Sequence, residues 1–247
     1  MANVLSGTSG ALYYKPAGTK STFKAANVTN GSNNINIGTY LNFKVDDKVS
    51  FGTGTGSTLP AGLSASTDVF IRTYTASTGI ATFAATAGGS ELSLTNDGTD
   101  GTTPFTIDFA EFQSVGDCRE WSLEVTREEL DTTTIGGTLG QTVPFRTFIS
   151  GFADGSGSAT VYFTDDDSTI GNRLIEDIFQ RKQVGATFKL YTDLVLSSGS
   201  PADSSSTSFT VPAVINQASY SVNPDDAQAI EINFRPTEAP TPDFARS

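Results

Sequence analysis

The stretch from Gly116 to Phe163, GDCREWSLEVTREELDTTTIGGTLGQTVPFRTFISGFADGSGSATVYF, decides the architecture of this chain. Trp121, Leu123 and Val125 alternate with polar residues, which is the two-residue period of a strand with one buried face. Residues 127–144 then show no regular period, and we predict a long loop there. A loop of this length is uncommon in a compact domain and is usually functional or disordered. A strand pair closed by Gly and Ser residues completes the stretch.

The residues that follow predict one helix and several more strands. Residues 168–184 place their apolar side chains on one helical stripe, which consists of Ile170, Leu174, Ile175, Ile178 and Phe179. Ile230, Ile232 and Phe234 alternate with polar residues, as in a half-buried strand. Strands, one helix and more strands predict an antiparallel sandwich with a single flanking helix.

The residues before this core have a different composition. Residues 26–110 are rich in Gly, Thr, Ser and Asn, and short strand patterns occur at 68–74, 79–83 and 104–109. Such a series predicts a small all-β domain inserted ahead of the core. Residues 1–25 are predicted to form an N-terminal arm, whose only strongly apolar cluster lies around Leu12, Tyr13 and Tyr14.

The composition argues against enzymatic chemistry. The 247 residues include no His and a single Cys, which excludes a Ser-His or Cys-His nucleophile, a His-ligated zinc ion and a thiolate site. The run Asp165–Asp167 precedes the predicted helix, where the helix dipole favours acids. We therefore predict a protein that is not an enzyme and has no catalytic residue, metal or cofactor. Paired carboxylates for glycoside cleavage stay open at this level.

The charge bears on possible partners. The net charge is −12 and the cations are not clustered, so tight, sequence-independent binding to DNA is not expected. No apolar run approaches the ~20 residues of a membrane span, so no membrane partner is expected.

The order of strand, long loop and hairpin resembles the core of phage major tail tube proteins. The stretch from Thr58 to Ser90, TLPAGLSASTDVFIRTYTASTGIATFAATAGGS, resembles a small β module of phage tail and baseplate proteins. The resemblance implies a mainly β protein: an antiparallel β-sandwich or barrel core at 111–247, a helix at about 168–184, and a Pro-rich tail at 236–247. The inserted domain is then expected on the outer surface.

The resemblance also implies a function. It implies a structural virion protein in the tail tube of a long-tailed phage, with hexameric rings stacked into a hollow tube for DNA passage. The implied partners are further copies of the chain, the tape measure, terminator and distal tail proteins, and DNA that passes without tight binding. An outer inserted domain favours a non-contractile tail. The alternative is a glycan-binding or decorative β protein on the virion surface.

Three sets of residues are the predicted sites. The apolar residues of the long loop are predicted to contact the next ring, and a surface loop without a partner is the alternative; they are Leu130, Ile135, Leu139 and Val143. The polar strand faces offer three candidates for the wall of the lumen, Glu120, Glu124 and Glu231, and an ordinary solvent-exposed sheet face is the alternative. The arm is predicted to make ring contacts through Leu12, Tyr13 and Tyr14.

Overall fold

The computed structural model describes residues 10–115, 118–131, 148–162, 173–174, 176–177, 186–198, 200–221 and 229–244. Seventeen strands occur among them. They are β1 Ala11–Lys15, β2 Lys20–Phe23, β3 Val28–Thr29, β4 Asn34–Asn36, β5 Lys48–Gly52, β6 Val69–Thr75, β7 Ile80–Ala84, β8 Phe105–Phe109, β9 Gln113–Ser114, β10 Cys118–Asp131, β11 Phe148–Tyr162, β12 Thr187–Asp193, β13 Leu196–Ser197, β14 Ser200–Pro201, β15 Thr207–Ser221, β16 Ala229–Pro236 and β17 Thr241–Asp243.

Helical structure is sparse in the described part of the chain. Two single-turn 3₁₀ helices occupy Ala25–Asn27 and Asn30–Ser32. Residues 173–174 and 176–177 are helical, in agreement with the predicted helix, and its other residues lie outside the described part. Leu174 is buried in the larger core, as the apolar stripe predicts.

An eight-stranded antiparallel sheet forms the larger unit, in the order β10-β11-β16-β15-β12-β1-β9, with β17 also paired to β15. Strand β15 is long enough to serve both halves of this sheet. Its first part pairs with β12, from Thr207 to Pro212, and its second part pairs with β16 from Ala213 onward. No ladder joins β10 to β9 among the described residues, so this part of the chain is an open sandwich and not a closed barrel.

Side chains from both halves of the sheet share one core. Phe188 of β12 stacks on Phe234 of β16 with 4.5 Å between ring centroids, and Tyr14 of β1 lies 4.9 Å from Phe188. Ile230 and Ile232 are also buried there, as their alternation predicts. The antiparallel sandwich is therefore confirmed.

A seven-stranded antiparallel sheet forms the inserted unit, in the order β2-β8-β5-β6-β7-β4-β3. The predicted strands at 68–74, 79–83 and 104–109 are confirmed as β6, β7 and β8, each within one residue of its expected start and end. This sheet has a separate core that includes Ile35, Ile71, Phe105 and Ile107. It spans residues 20–109, so it starts earlier in the chain than the predicted boundary at residue 26.

Two local predictions differ from the structure. The predicted arm contains β1, which pairs with β12 and β9, because its apolar residues complete the sandwich core. The predicted loop at 127–144 begins too early, since residues 127–131 continue strand β10. Both faces of that end of β10 are exposed, so no buried face imposes an alternating pattern on its sequence.

Candidate assembly surface: a polar sheet face and a projecting hairpin

The three predicted lumen glutamates lie on one face of the sheet. Glu120 of β10 is opposite Thr160 of β11, and Thr160 is in turn opposite Glu231 of β16. Because neighbouring strands lie about 4.8 Å apart, the two glutamate backbones are roughly 10 Å apart across the sheet. Glu124 occupies the same face two positions beyond Ser122. All three glutamates are exposed, and we call this surface the acidic face.

Short polar side chains fill the acidic face between the glutamates. One row runs across four strands and contains Ser122, Ser158, Asn233 and Gln217. The Ser122 and Ser158 hydroxyl oxygens are 2.8 Å apart, and the Asn233 amide nitrogen donates to the Gln217 side-chain oxygen at 3.4 Å. The alternating residues of these strands point into the core, so the sequence period itself produces a polar outer face.

An ion pair marks one end of this face. The Arg235 Nε donates to the Asp154 carboxylate at 3.1 Å, and a second guanidinium nitrogen also bonds it. These hydrogen bonds hold the pKa of Asp154 below its usual value. Arg235 is therefore already paired with a carboxylate, which leaves the three glutamates to give the face its negative charge.

The second part of the surface is a projecting hairpin formed by β10 and β11. Strand β16 forms a ladder with β11 only from Gly157 to Tyr162, so β10 is the one described ladder partner of residues 148–156. At ~3.4 Å per residue, the residues beyond the level of Pro236, at the end of β16, extend about 24 Å. We call residues 125–131 and 148–153 the projecting hairpin.

Large apolar side chains are exposed along the projecting hairpin. Phe152 is 87% exposed and Ile149 is 55% exposed, and the others are Val125, Leu130 and Phe148. Leu130 lies directly opposite Ile149. Scattered apolar residues are normal on protein surfaces, but five large exposed ones within one short hairpin make it a candidate interaction site.

The structure describes one of the four predicted loop contacts. Leu130 lies on the projecting hairpin, where its side chain is 44% exposed. Ile135, Leu139 and Val143 lie outside the described residues. The sequence analysis did not identify Phe148, Ile149 and Phe152 as contact residues. Apolar residues at 148, 149 and 152 cannot all share one strand face. That pattern was the available signal for a strand exposed on both faces.

The predicted arm contacts are placed differently. Leu12, Tyr13 and Tyr14 lie in β1, and their side chains are at most 9% exposed. Leu12 and Tyr14 belong to the core of their own chain, and Tyr13, on the other face of β1, packs against the Tyr191 ring at 5.2 Å. Their role in ring contacts stays a prediction.

A cleft with a volume of ≈ 490 Å³ lies between β1, β9 and β12. Its charged groups are already paired: the Lys189 ammonium lies 2.7 Å from the Asp203 carboxylate, and the Tyr191 hydroxyl donates to the same oxygen at 2.8 Å. The Tyr13 and Tyr191 rings are almost fully buried, so they present little face to stack on a ligand such as a sugar.

Metal-ion clusters and membrane-spanning helices are both absent from the described residues. No group of three or more His, Cys, Asp or Glu residues there could hold a metal ion. No helix in the same part of the chain is long and apolar enough to cross a membrane.

The reactivity of the Cys118 thiol tests whether the start of strand β10 is buried. Burial raises the pKa of its thiol to about 11, from an ordinary value of 9.0. Because the thiolate is the reactive form, we expect alkylation by iodoacetamide at pH 8 to be roughly 100-fold slower than for an exposed cysteine. The rate should keep rising with pH toward 11. Mass spectrometry of the native chain and of the chain in concentrated urea measures this difference, and equal rates would contradict it.

Comparisons with known proteins find similarity at the level of fold. No family model matches the chain, and no curated protein matches it. A chain in the virion of a native gene transfer agent particle is 17% identical, with a TM-score of 0.40 over 53% of this chain and 88% of that one. The SPP1 tail tube is 21% identical, with a TM-score of 0.37 over 51% and 64%. The anti-feeding prophage baseplate is 8% identical, with a TM-score of 0.36 over 56% and 87%.

Proposed function

We propose that this chain is the structural subunit of a phage tail tube, located in the virion tail, where six copies form a ring and rings stack into a hollow tube. The observation that carries the proposal is the projecting hairpin, which presents exposed apolar residues beyond a self-contained sandwich. On this proposal the chain has no enzymatic role. Its partners are further copies of itself and the tape measure, terminator and distal tail proteins.

An open edge supports contact between copies. Strand β10 has 14 residues and pairs with β11 on one side, and no second ladder follows its other side among the described residues. The backbone N–H and C=O groups of an exposed edge strand are a template for a strand from another chain. When one surface of each copy contacts a different surface of the next, the copies form a ring or an open stack.

The projecting hairpin supplies the proposed contact between rings. Its length of about 20 Å carries Ile149 and Phe152 away from the sandwich core. Covering each of these side chains with a neighbouring copy contributes about 1.5–3 kcal/mol. Leu130 lies opposite Ile149 and belongs to the same contact.

The acidic face is the proposed wall of the lumen. Glu120, Glu124 and Glu231 carry the same charge as DNA phosphates, so a channel lined with them repels the passing genome. The residues between them on β10 and β11 have short side chains, so they offer few groups that could bind DNA. This arrangement fits passage without tight binding.

The inserted sheet is proposed to lie on the outside of the tube. The chain leaves the sandwich after β1 and returns at β9, the strands farthest from β10 in the sheet order. Neither β1 nor β9 forms a described ladder with β10 or β11, so the insert and the projecting hairpin leave the sandwich from different strands.

Negative-stain microscopy of the purified native chain tests this function. Hollow tubes of uniform width, growing in number with protein concentration, are the expected result. A chain that stays monomeric at every concentration tried, without tubes in any preparation, would contradict the proposal.

Reversing one charge at a time tests the acidic face. We expect Glu120→Lys, Glu124→Lys and Glu231→Lys each to leave tube growth intact and to slow genome release from particles by roughly tenfold, because a cation in the channel attracts phosphates. Glu91→Lys, at an exposed site in the inserted sheet, is the matched control and should leave release unchanged. Equal release rates for all four variants and the native chain would remove these glutamates from the lumen.

A further inference from the structure

A group of buried polar side chains lies where the helical residues meet both sheets. Arg173 and Asp177, one helical turn apart, are 5% and 1% exposed. Large charged side chains are rarely buried to this degree unless they are paired. We call this group the junction cluster, and its members are Tyr14, Asn42, Asp47, Arg173 and Asp177.

Arg173 is held by the segment between β4 and β5 of the inserted sheet. Its two terminal nitrogens donate to the two oxygens of Asp47 at 2.5 and 2.9 Å, so the pair is bidentate. The guanidinium also donates to the backbone oxygen of Asn42, and it lies 5.5 Å from the centroid of the Phe109 ring. Asp47 is itself 6% exposed and accepts a further hydrogen bond from the backbone nitrogen of Lys44 at 2.7 Å.

Asp177 contacts the sandwich and the insert together. Its carboxylate accepts a hydrogen bond from the Tyr14 hydroxyl of β1 at 2.5 Å and another from the backbone nitrogen of Ala17 at 3.2 Å. The side-chain nitrogen of Asn42 donates to the other carboxylate oxygen. Burial raises the pKa of Asp177. The hydrogen bonds that its carboxylate accepts, and the nearby positive charge of Arg173, act in the opposite direction.

The covalent links between the two units are short and run side by side. Residues 16–19 lead from β1 to β2, and residues 110–112 return from β8 to β9. Units joined in this way move relative to each other by default unless their interface holds them. Lys15 and Asp108 form an ion pair of 2.8 Å across the junction, but both side chains are more than one-fifth exposed. The junction cluster is the buried, hydrogen-bonded contact at this place.

We propose that the junction cluster is a clamp that makes the inserted sheet and the sandwich open and unfold as one unit. Force applied to the insert then passes through the helical residues into the sandwich. This inference is independent of tube assembly, since every contact lies within one chain. Removing one partner of a buried charge pair leaves the other charge buried and unpaired, which is strongly destabilising. Each clamp residue should therefore affect the coupling, not only local stability.

Denaturant unfolding of the full-length native chain tests the clamp with two probes. Trp121, the single tryptophan, reports the sandwich, and hydrogen exchange of peptides from β5 and β8 reports the insert. We expect both probes to give the same midpoint, as in a single cooperative unit. Two separate midpoints in the native chain would overturn the proposal.

Asp47→Ala should uncouple the two units. We expect the two midpoints to separate, and the less stable unit to exchange at least about 100-fold faster than in the native chain. Lys44→Ala is the matched control, because it removes an ion pair to Glu176 in which both side chains are more than two-fifths exposed. The control should keep coincident midpoints. Coincident midpoints in Asp47→Ala would overturn the proposal. If the alanine variant does not fold, Asp47→Asn, which keeps the side-chain shape, is measured in its place with the same expected result.

Discussion

Ile149→Asp combined with Phe152→Asp should abolish assembly while leaving a folded monomer. Both side chains are more than half exposed in the single chain, so the charge costs the monomer little. In the proposed ring contact, the same two positions become buried, where each lost apolar group costs about 1.5–3 kcal/mol and an unpaired carboxylate costs more. We expect the critical concentration for assembly to rise by at least about 100-fold.

A matched control separates assembly from a general effect of added charge. Leu196 in β13 is 56% exposed, close to the 55% of Ile149, and it lies outside the projecting hairpin. Leu196→Asp should assemble as the native chain does. Analytical ultracentrifugation measures the critical concentration, and circular dichroism checks the fold of each variant. Normal tubes from the double variant would exclude the projecting hairpin from the contact.

Phe188→Ala should produce the largest loss of stability among the core variants. The Phe188 side chain is fully buried between Tyr14 and Phe234, with centroids 4.9 and 4.5 Å away. It joins the two halves of the sandwich, so a cavity there cannot collapse without moving both. We expect the free energy of unfolding to fall by about 3–5 kcal/mol, measured by urea denaturation with Trp121 fluorescence.

The same substitution at Phe152 is the control for this prediction. Because Phe152 is 87% exposed, Phe152→Ala should change the free energy of unfolding by no more than about 0.5 kcal/mol. Phe152→Ala should nevertheless weaken assembly, because the variant loses the aromatic side chain that packs against the neighbouring copy. A similar stability loss in both variants would show that Phe152 is buried in the monomer, against the structure.

The sequence predicted the elements that have one buried and one exposed face. Strand β8 and the first part of β6 keep an alternating pattern, whereas β7 is buried at four successive positions. The predicted bounds of all three strands agree with the structure within one residue. The acidic face follows from the same alternation in β10 and β16. Short strands were missed, because β3 and β4 contain two and three residues and cannot display a period.

Features that depend on distant partners could not be predicted. Strand β1 has the composition of an isolated apolar cluster, and only its pairing with β12 makes it a central strand. The junction cluster joins Tyr14 to Asp177, 163 residues away, and Arg173 to Asp47, 126 residues away. Single-sequence patterns carry no information on such pairs. The far end of β10 was missed for a different reason, since a strand exposed on both faces has no apolar alternation.

Electron cryo-microscopy of assembled tubes tests the role of the projecting hairpin most directly. We predict that Phe152 of each copy is buried against a neighbouring copy and that Glu120, Glu124 and Glu231 face the channel. Tubes in which the Phe152 side chain stays exposed to solvent, or in which the three glutamates face outward, would contradict this assignment.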